Sequence, residues 1–317
     1  MALSIDEANA VSSKYYDKTI TQQAYEKCPL YVHLKSKGNV VTDGGTQIQW
    51  PIRQEELNKA RFTGPREQVA YGQKETRTGA VLDWKYLIAH AMISWDERVK
   101  NSGKPKVISL MEDKATEMRE DALDVFATAI WQTTPGADDP SSLPEIVDTG
   151  TTYAGIAVAD AALWAAGAED TAETEMKLYG TNSISESCNA ATFGPDSPDF
   201  AITSRDLWSK FESLIEPQRR YYGKESGLGK AGFTTIAFHD MEIVSDVYAP
   251  AGSFYALDSG KYFICYHPDY NFKTEPWEKL KQAGYPYAMV KTTAWVGNLK
   301  CRMRRTSYKY TALDYEI

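Results

Sequence analysis

The stretch from residue 44 to residue 131 constrains this chain more than any other. It reads as one long, charged, two-stranded excursion followed by one long amphipathic helix. The excursion carries strand-like runs at 46–52, 68–71 and 81–95, with a charged, turn-rich middle at 54–66. A two-stranded ribbon of this length has no core of its own and is marginal in isolation. It is therefore expected to lie on another surface, and the simplest one is a second copy of the same chain. The helix follows at 106–132. Met111, Ala115, Met118, Ala122, Val125 and Ala129 recur at alternating spacings of four and three, one stripe of a helical period, widened by Ile108, Phe126 and Ile130. All of these are expected to be buried. Ser109 with Glu112 makes a capping box, and Pro105 offers an earlier start. At 1.5 Å per residue the helix spans about 35–40 Å. Its other face bears Glu112, Asp113, Lys114, Glu117, Arg119, Glu120 and Asp124, the pattern of a solvated face. Pro135 and Gly136 end it.

The remaining blocks are less extreme. Residues 1–43 read as a polar arm with a short helix at 4–16. After a loop carrying Pro135, Pro140 and Pro144, residues 154–270 alternate helix and strand. A helix is expected at 203–219, capped by Thr203 or Ser204, with Leu207, Phe211, Leu214 and Ile215 on one face. Short strands are expected at 233–238, 242–247, 254–257 and 262–267, turning at Asp240 and at Ser259-Gly260. A last strand runs through 287–310, with Lys300, Arg302, Arg304 and Arg305 near its end. In a chain of formal net charge -8 and sequence pI of about 5.2, those cations are expected to pair with carboxylates across a strand or an interface. The same acidity argues against sequence-specific nucleic-acid binding.

The chain has 317 residues, 43% hydrophobic and 25% charged, which suits one elaborate domain or two smaller ones. No apolar run reaches the roughly 18 residues of a membrane span. The N-terminal residues lack the basic and apolar regions of a secretory signal, so none is expected. Cys28, Cys188, Cys265 and Cys301 are far apart, form no CxxC pair, and read as reduced thiols rather than a disulfide framework or zinc site. His33, His90, His239 and His267 form no HExxH. There is no GxSxG and no GxxxxGK[ST]. Gly227, Gly229 and Gly232 satisfy GxGxxG, but a polar stretch precedes them and a strand follows, the reverse of what a pyrophosphate-binding turn needs. Asp138, Asp139, Asp196 and Asp199 read as turn residues. Trp50, Trp84, Trp95 and Trp131 read as core or interface packing. No cofactor and no metal is expected.

The order of blocks carries more information than any motif. An arm, a long charged hairpin, a strand, a long helix, a Pro-rich loop, an α/β block and a terminal strand together resemble the major capsid protein of tailed bacteriophages. Encapsulins and the herpesvirus capsid floor share that fold. Local stretches carry the likeness: Gly44-Gly45 leading into Ile48 to Ile52, Trp84-Lys85 leading to Glu97 and Asn101, Tyr153-Ala154-Gly155-Ile156, Phe233 to Phe238, Glu242-Ile243-Val244, and Pro250 with Phe254 to Leu257.

The resemblance implies an α+β fold with an N-terminal arm (1–43), an extended β-hairpin loop (44–85), a peripheral domain (86–153 and 291–317) around a spine helix at 106–132, and an α/β axial domain (154–290). It implies a structural, non-enzymatic head protein that self-assembles as pentamers and hexamers into an icosahedral shell. That shell would be a virion capsid assembled in the host bacterial cytoplasm, enclosing genomic DNA without gripping it. An encapsulin-like compartment, or an enzyme with an unrecognised site on the α/β block, are the alternatives. The implied partners are other copies of the chain, a portal protein, a separate scaffolding protein and a decoration protein, with no membrane. A separate scaffold, or self-sufficient assembly, is expected because the extended loop begins by Gly44, leaving no room for a long fused propeptide. Intersubunit contacts are expected from Trp50, Arg53, Glu55, Glu56, Arg61, Arg66, Glu67 and Lys74 of the loop. The spine helix is expected to bury Met111, Met118, Ala122, Val125 and Phe126.

Overall fold

The computed structural model describes residues 28–57, 59–68, 72–100, 104–170, 174–215, 235–280 and 287–314. At 104–109, 162, 168–170, 174 and 235 it describes the backbone alone. The helix expected at 4–16, most of the strand expected at 68–71, the three glycines at 227–232 and the last residues of the helix expected at 203–219 lie outside the described residues.

In chain order the elements begin with α1 (Pro29–Ser36), β1 (Val40–Thr42), β2 (Ile48–Arg53), β3 (Arg77–Leu82), β4 (Lys85–Ile93), α2 (Trp95–Lys100), α3 (Lys104–Ala129) and α4 (Leu143–Ile146). Next come β5 (Ala168–Asp170), β6 (Thr174–Glu175), α5 (Ile184–Ala191), β7 (Phe200–Ser204), α6 (Arg205–Ile215), β8 (Thr235–Phe238), β9 (Met241–Asp246) and β10 (Phe254–Leu257). The chain closes with β11 (Tyr262–Tyr266), β12 (Lys273–Thr274), β13 (Glu278–Lys279), β14 (Met289–Cys301), β15 (Tyr308–Tyr310) and β16 (Leu313–Asp314).

Two six-stranded sheets organise the molecule. The first is built on β14, which pairs antiparallel with β4 from Met289 opposite Ile93 to Gly297 opposite Lys85. β11 pairs with the far end of β14, β12 and β13 with its near end, and β1 adds to β11 in parallel. Alternation along β4 turns Ala89, Ala91 and Ile93 inward, where they meet Met111, Met118 and Ala122 of α3 together with Trp277 and Met289. The second sheet has the order β5-β15-β10-β7-β9-β8. Leu207 and Phe211 of α6 and Ile184 and Cys188 of α5 share its core with Phe238, Phe254 and Tyr308. α6 shows the expected start, because β7 ends at Ser204 and the helix begins at the next residue.

The sheets correct three expected boundaries. Residues 28–42 are not a loose arm: Cys28, Leu30, Tyr31 and Leu34 of α1 are buried in the main core, and β1 is hydrogen-bonded to β11. β11, β12 and β13, expected in the axial domain, belong to the sheet under α3, whereas β15, expected in the peripheral domain, belongs to the second sheet. Backbone pairing decides this, and a strand's partner is a long-range choice that its own residues do not encode. Residues 95–100 are a short helix rather than the end of a strand.

Val125 also corrects the expectation. Met111, Met118, Ala122 and Phe126 are buried, but Val125 is 48% exposed. The first half of α3 faces the β4/β14 sheet through Met111 and Met118. Its second half meets a different cluster, through Leu123 and Phe126, joined by Ile130 just past the helix end. Phe126 lies edge-on to Phe272 (5.7 Å) and Trp295 (5.1 Å) in that cluster. The buried face therefore turns along the helix and leaves Val125 outside it.

Candidate intersubunit site

The ribbon divides into a root and a tip. β2 and β3 pair antiparallel from Ile48 opposite Leu82 to Arg53 opposite Arg77. Ile48, Trp50, Ile52, Ala80 and Leu82 are buried in the main core of their own chain. The root is further tied down by the Val81 N–H, which donates to the Ala154 carbonyl (3.1 Å). Trp50, expected at an intersubunit contact, is only 6% exposed. Its ring lies 4.9 Å from the Lys300 ammonium, so it packs within its own subunit. The ribbon is therefore not without a core along its whole length, since its root lies on the core of its own chain.

The tip does not. Every described residue from 55 to 68 is exposed, and Phe62 is as exposed as in an extended peptide. Cross-strand contacts nevertheless continue the two-stranded path outward. The Gln54 N–H donates to the Thr76 carbonyl (2.9 Å), and the Lys74 ammonium bonds the Glu56 carbonyl (3.0 Å) and the Glu55 carboxylate (2.6 Å). Lys59 reaches across to Gly72, and a turn closes at the end, where the Glu67 N–H donates to the Gly64 carbonyl (3.2 Å). Arg61 pairs with Glu67 at 3.0 Å. Arg53 donates to the Glu55 carbonyl (3.3 Å). Much of the mixed charge expected to pair with a neighbour thus pairs within the ribbon. Glu56 and Arg66 have no ion pair among the described residues.

The basic C-terminal segment departs most from expectation. None of Lys300, Arg302, Arg304 and Arg305 pairs with a carboxylate among the described residues. Arg302 sits over Phe263 (4.3 Å) and Arg305 over Phe193 (4.6 Å), contacts in which the ring face attracts the cation. Arg304 is wholly buried. Its guanidinium donates to the carbonyls of Ile146 (2.6 Å), Thr151 (3.0 Å), Glu145 (3.2 Å) and Asp148 (2.9 Å). It thereby sews the loop after α4 to the end of β14. Alongside it, Lys309 pairs with Asp148 at 2.8 Å, and the hydrogen bonds from Lys309, Gly150 and Thr151 outweigh burial and hold that carboxyl at about 2.

Among the described residues no group of three His, Cys, Asp or Glu is placed to hold a metal ion. Cys28, Cys188, Cys265 and Cys301 are buried and unpaired, and burial pushes each thiol upward. A cavity of about 170 Å³ beside the ribbon root is lined by Ile52, Leu163, Trp164, Phe193 and Met303 with three arginines, and by no nucleophile or general base. Among the described residues no helix is long and apolar enough to cross a membrane.

His33 is the buried titratable group with a readable consequence. It stacks on Phe200 at 3.9 Å, and burial pushes its pKa down to about 4. Glu242, 3.7 Å away, is too far to hydrogen-bond it and does not reverse the effect. Below about 6.5 the unfolded chain takes up a proton that the folded chain refuses. His33 should therefore cost nothing above pH 6.5 and an increasing amount as pH falls to 4, about 3 kcal/mol at most. The carboxyls that burial raises, Glu145, Asp246 and Asp258, act with the opposite sign. Comparison with His33→Phe isolates the histidine: the variant's melting temperature should fall less than the wild type's between pH 7 and pH 4.5. Parallel curves would show that His33 is protonated as easily folded as unfolded.

Comparison with solved structures agrees with this architecture. The cyanophage A-1(L) capsid subunit superimposes with a TM-score of 0.61 at 13% identity, over 87% of this chain and 90% of that one. The capsid of a native GTA particle gives 0.57 at 10% identity, over 89% and 90%. A Mycobacterium phage Bobi structure gives 0.54 at 12% identity, over 99% of each chain. No protein-family model and no curated protein matches the sequence. The chain has the α+β fold of tailed-phage capsid proteins.

Proposed function

We propose that this chain is a structural, non-enzymatic shell subunit, the major capsid protein of a tailed bacteriophage. Copies would gather as pentamers and hexamers into a closed icosahedral particle around the genome, in the cytoplasm of the host bacterium. The observation that carries this reading is the ribbon tip: a two-stranded projection beyond any core of its own, on a fold shared over nearly its whole length with capsid subunits. Heterologous contacts of such a projection with the next copy generate rings that close. A scaffolding protein, a portal and a decoration protein are the partners the reading implies. Genomic DNA would be confined rather than gripped, because the chain carries a net charge of -8.

The test is assembly. Chain produced alone or with its neighbouring structural proteins should give rings or closed shells in electron micrographs, tens of nanometres across. A stable monomer under all those conditions would end the shell reading. Free subunits should bind duplex DNA weakly and release it at moderate salt, and binding that persists at about 200 mM salt would show a DNA-gripping role instead.

A further inference from the structure

We infer that the cavity beside the ribbon root binds an aromatic ring that carries a carboxylate, with the ring inside and the carboxylate against the arginines at the opening. This goes beyond the shell reading and does not depend on it. The cavity measures about 170 Å³. A dry apolar cavity of about 150 Å³ takes up benzene, so one six-membered ring fits here and a nucleotide does not. Of the apolar groups in its wall, Ile52 and Trp164 are buried and Leu163, Phe193 and Met303 are half-buried. Arg53 and Arg302 are exposed, and Arg305 is half-buried. The apolar side chains therefore form the depth of the cavity and the cations its opening.

The cations are uncompensated. No acidic residue lines the cavity. Arg302 and Arg305 lie over the rings of Phe263 (4.3 Å) and Phe193 (4.6 Å), and their guanidiniums make no hydrogen bond or ion pair among the described residues. Arg53 uses one donor on the Glu55 carbonyl (3.3 Å). In a chain of net charge -8, such a group of cations around an apolar opening is complementary to a carboxylate, which the planar guanidinium fork binds through paired hydrogen bonds. The walls are also held in place. Arg304, between the two cavity arginines in sequence, is fixed by its carbonyl contacts to the loop at 145–151. Trp164 Nε1 donates to the Tyr153 carbonyl (3.2 Å), and the Gln54 side-chain amide bonds the Asp160 carbonyl, tying the ribbon root to the segment that carries Leu163 and Trp164. A site ordered before binding loses little freedom when it fills.

A ring with a carboxylate reaches such a site as a free aromatic acid or as an aromatic residue beside an acidic one in a peptide. Calorimetric titration of the full chain with 3-phenylpropionate and with acetyl-Phe-Asp-amide separates the two sources. At least one should bind with a Kd of about 1 mM or below and raise the melting temperature by about 2 °C or more when saturating. For the free acid, 3-phenylpropionamide, the same shape without the charge, should bind about tenfold more weakly. Arg302→Gln with Arg305→Gln should weaken whichever probe binds by about tenfold or more, and Leu163→Trp, which fills the cavity, should abolish its binding. Binding of the acid alone identifies a small ligand, and binding of the capped peptide identifies a protein partner. No binding of either probe at about 10 mM, or binding that survives loss of both arginines or filling of the cavity, overturns the site and leaves the shell reading intact. An amide that binds the wild type as tightly as the acid also overturns it, and that comparison needs no variant to fold.

Discussion

Arg304→Met should lower the stability of the subunit by about 3–5 kcal/mol, enough to leave much of it unfolded or insoluble at 37 °C. The residue is fully buried, and its guanidinium serves the carbonyls of Glu145, Ile146, Asp148 and Thr151. Methionine fills a similar volume but leaves the Ile146 and Thr151 carbonyls without the donor they have here, whereas Glu145 keeps the Thr151 hydroxyl and Asp148 the Ala166 N–H; each orphaned group costs about 1–3 kcal/mol. Tyr153 and Trp164 lie 5.7 and 6.0 Å from the charge and lose a cation partner as well. Arg304→Lys should recover little, since an ammonium offers three donors from one point where the planar fork offers five. Denaturant melts of the three proteins decide the matter. A change below about 1 kcal/mol for Arg304→Met would mean that the loop at 145–151 finds other donors.

Met118→Asp is the second large effect. Met118 is 4% exposed on α3, packed with Ala89, Ala91 and Trp277 above the β4/β14 sheet. The Thr293 hydroxyl lies 3.9 Å from its sulfur. A carboxylate there enters a buried apolar cluster and should cost several kcal/mol, by destabilising the fold directly or by having to take up a proton. Val125→Asp, one turn and three residues further along, should change stability by no more than about 0.5 kcal/mol, because that position is open to water. The contrast is read from melting temperatures of the two variants. Equal losses would mean that the buried face of α3 does not turn between Met118 and Phe126.

Much of this molecule is legible in its sequence, and the legible part is local. The 3.6-residue stripe of α3, the breaker at Pro135-Gly136, the cap before α6 and the alternation along β4 depend on residues a few positions apart, so periodicity and turn chemistry find them. The long charged hairpin is equally visible, and it is the feature on which the proposed assembly rests. The absence of a motif with catalytic spacing is a local property too.

What the tertiary structure decided is which surfaces meet. Tyr308–Tyr310 joins the second sheet and Tyr262–Tyr266 the first because of their backbone partners, more than thirty residues away in the chain, and no side-chain pattern names such a partner. Trp50 and Phe62 are both aromatic residues of one ribbon, yet one is buried at its root and the other bare at its tip, since only the root touches the rest of the chain. Val125 shares the stripe of Met118 by spacing but not by burial, because the helix passes from one core cluster to another. Arg304 looks like one of several surface cations and is instead sewn to four carbonyls, a partner set assembled from a loop some 150 residues earlier. Sequence spacing determines the elements and their amphipathic faces. Long-range contact, in which burial overrides local preference, decides which face is covered, and by what.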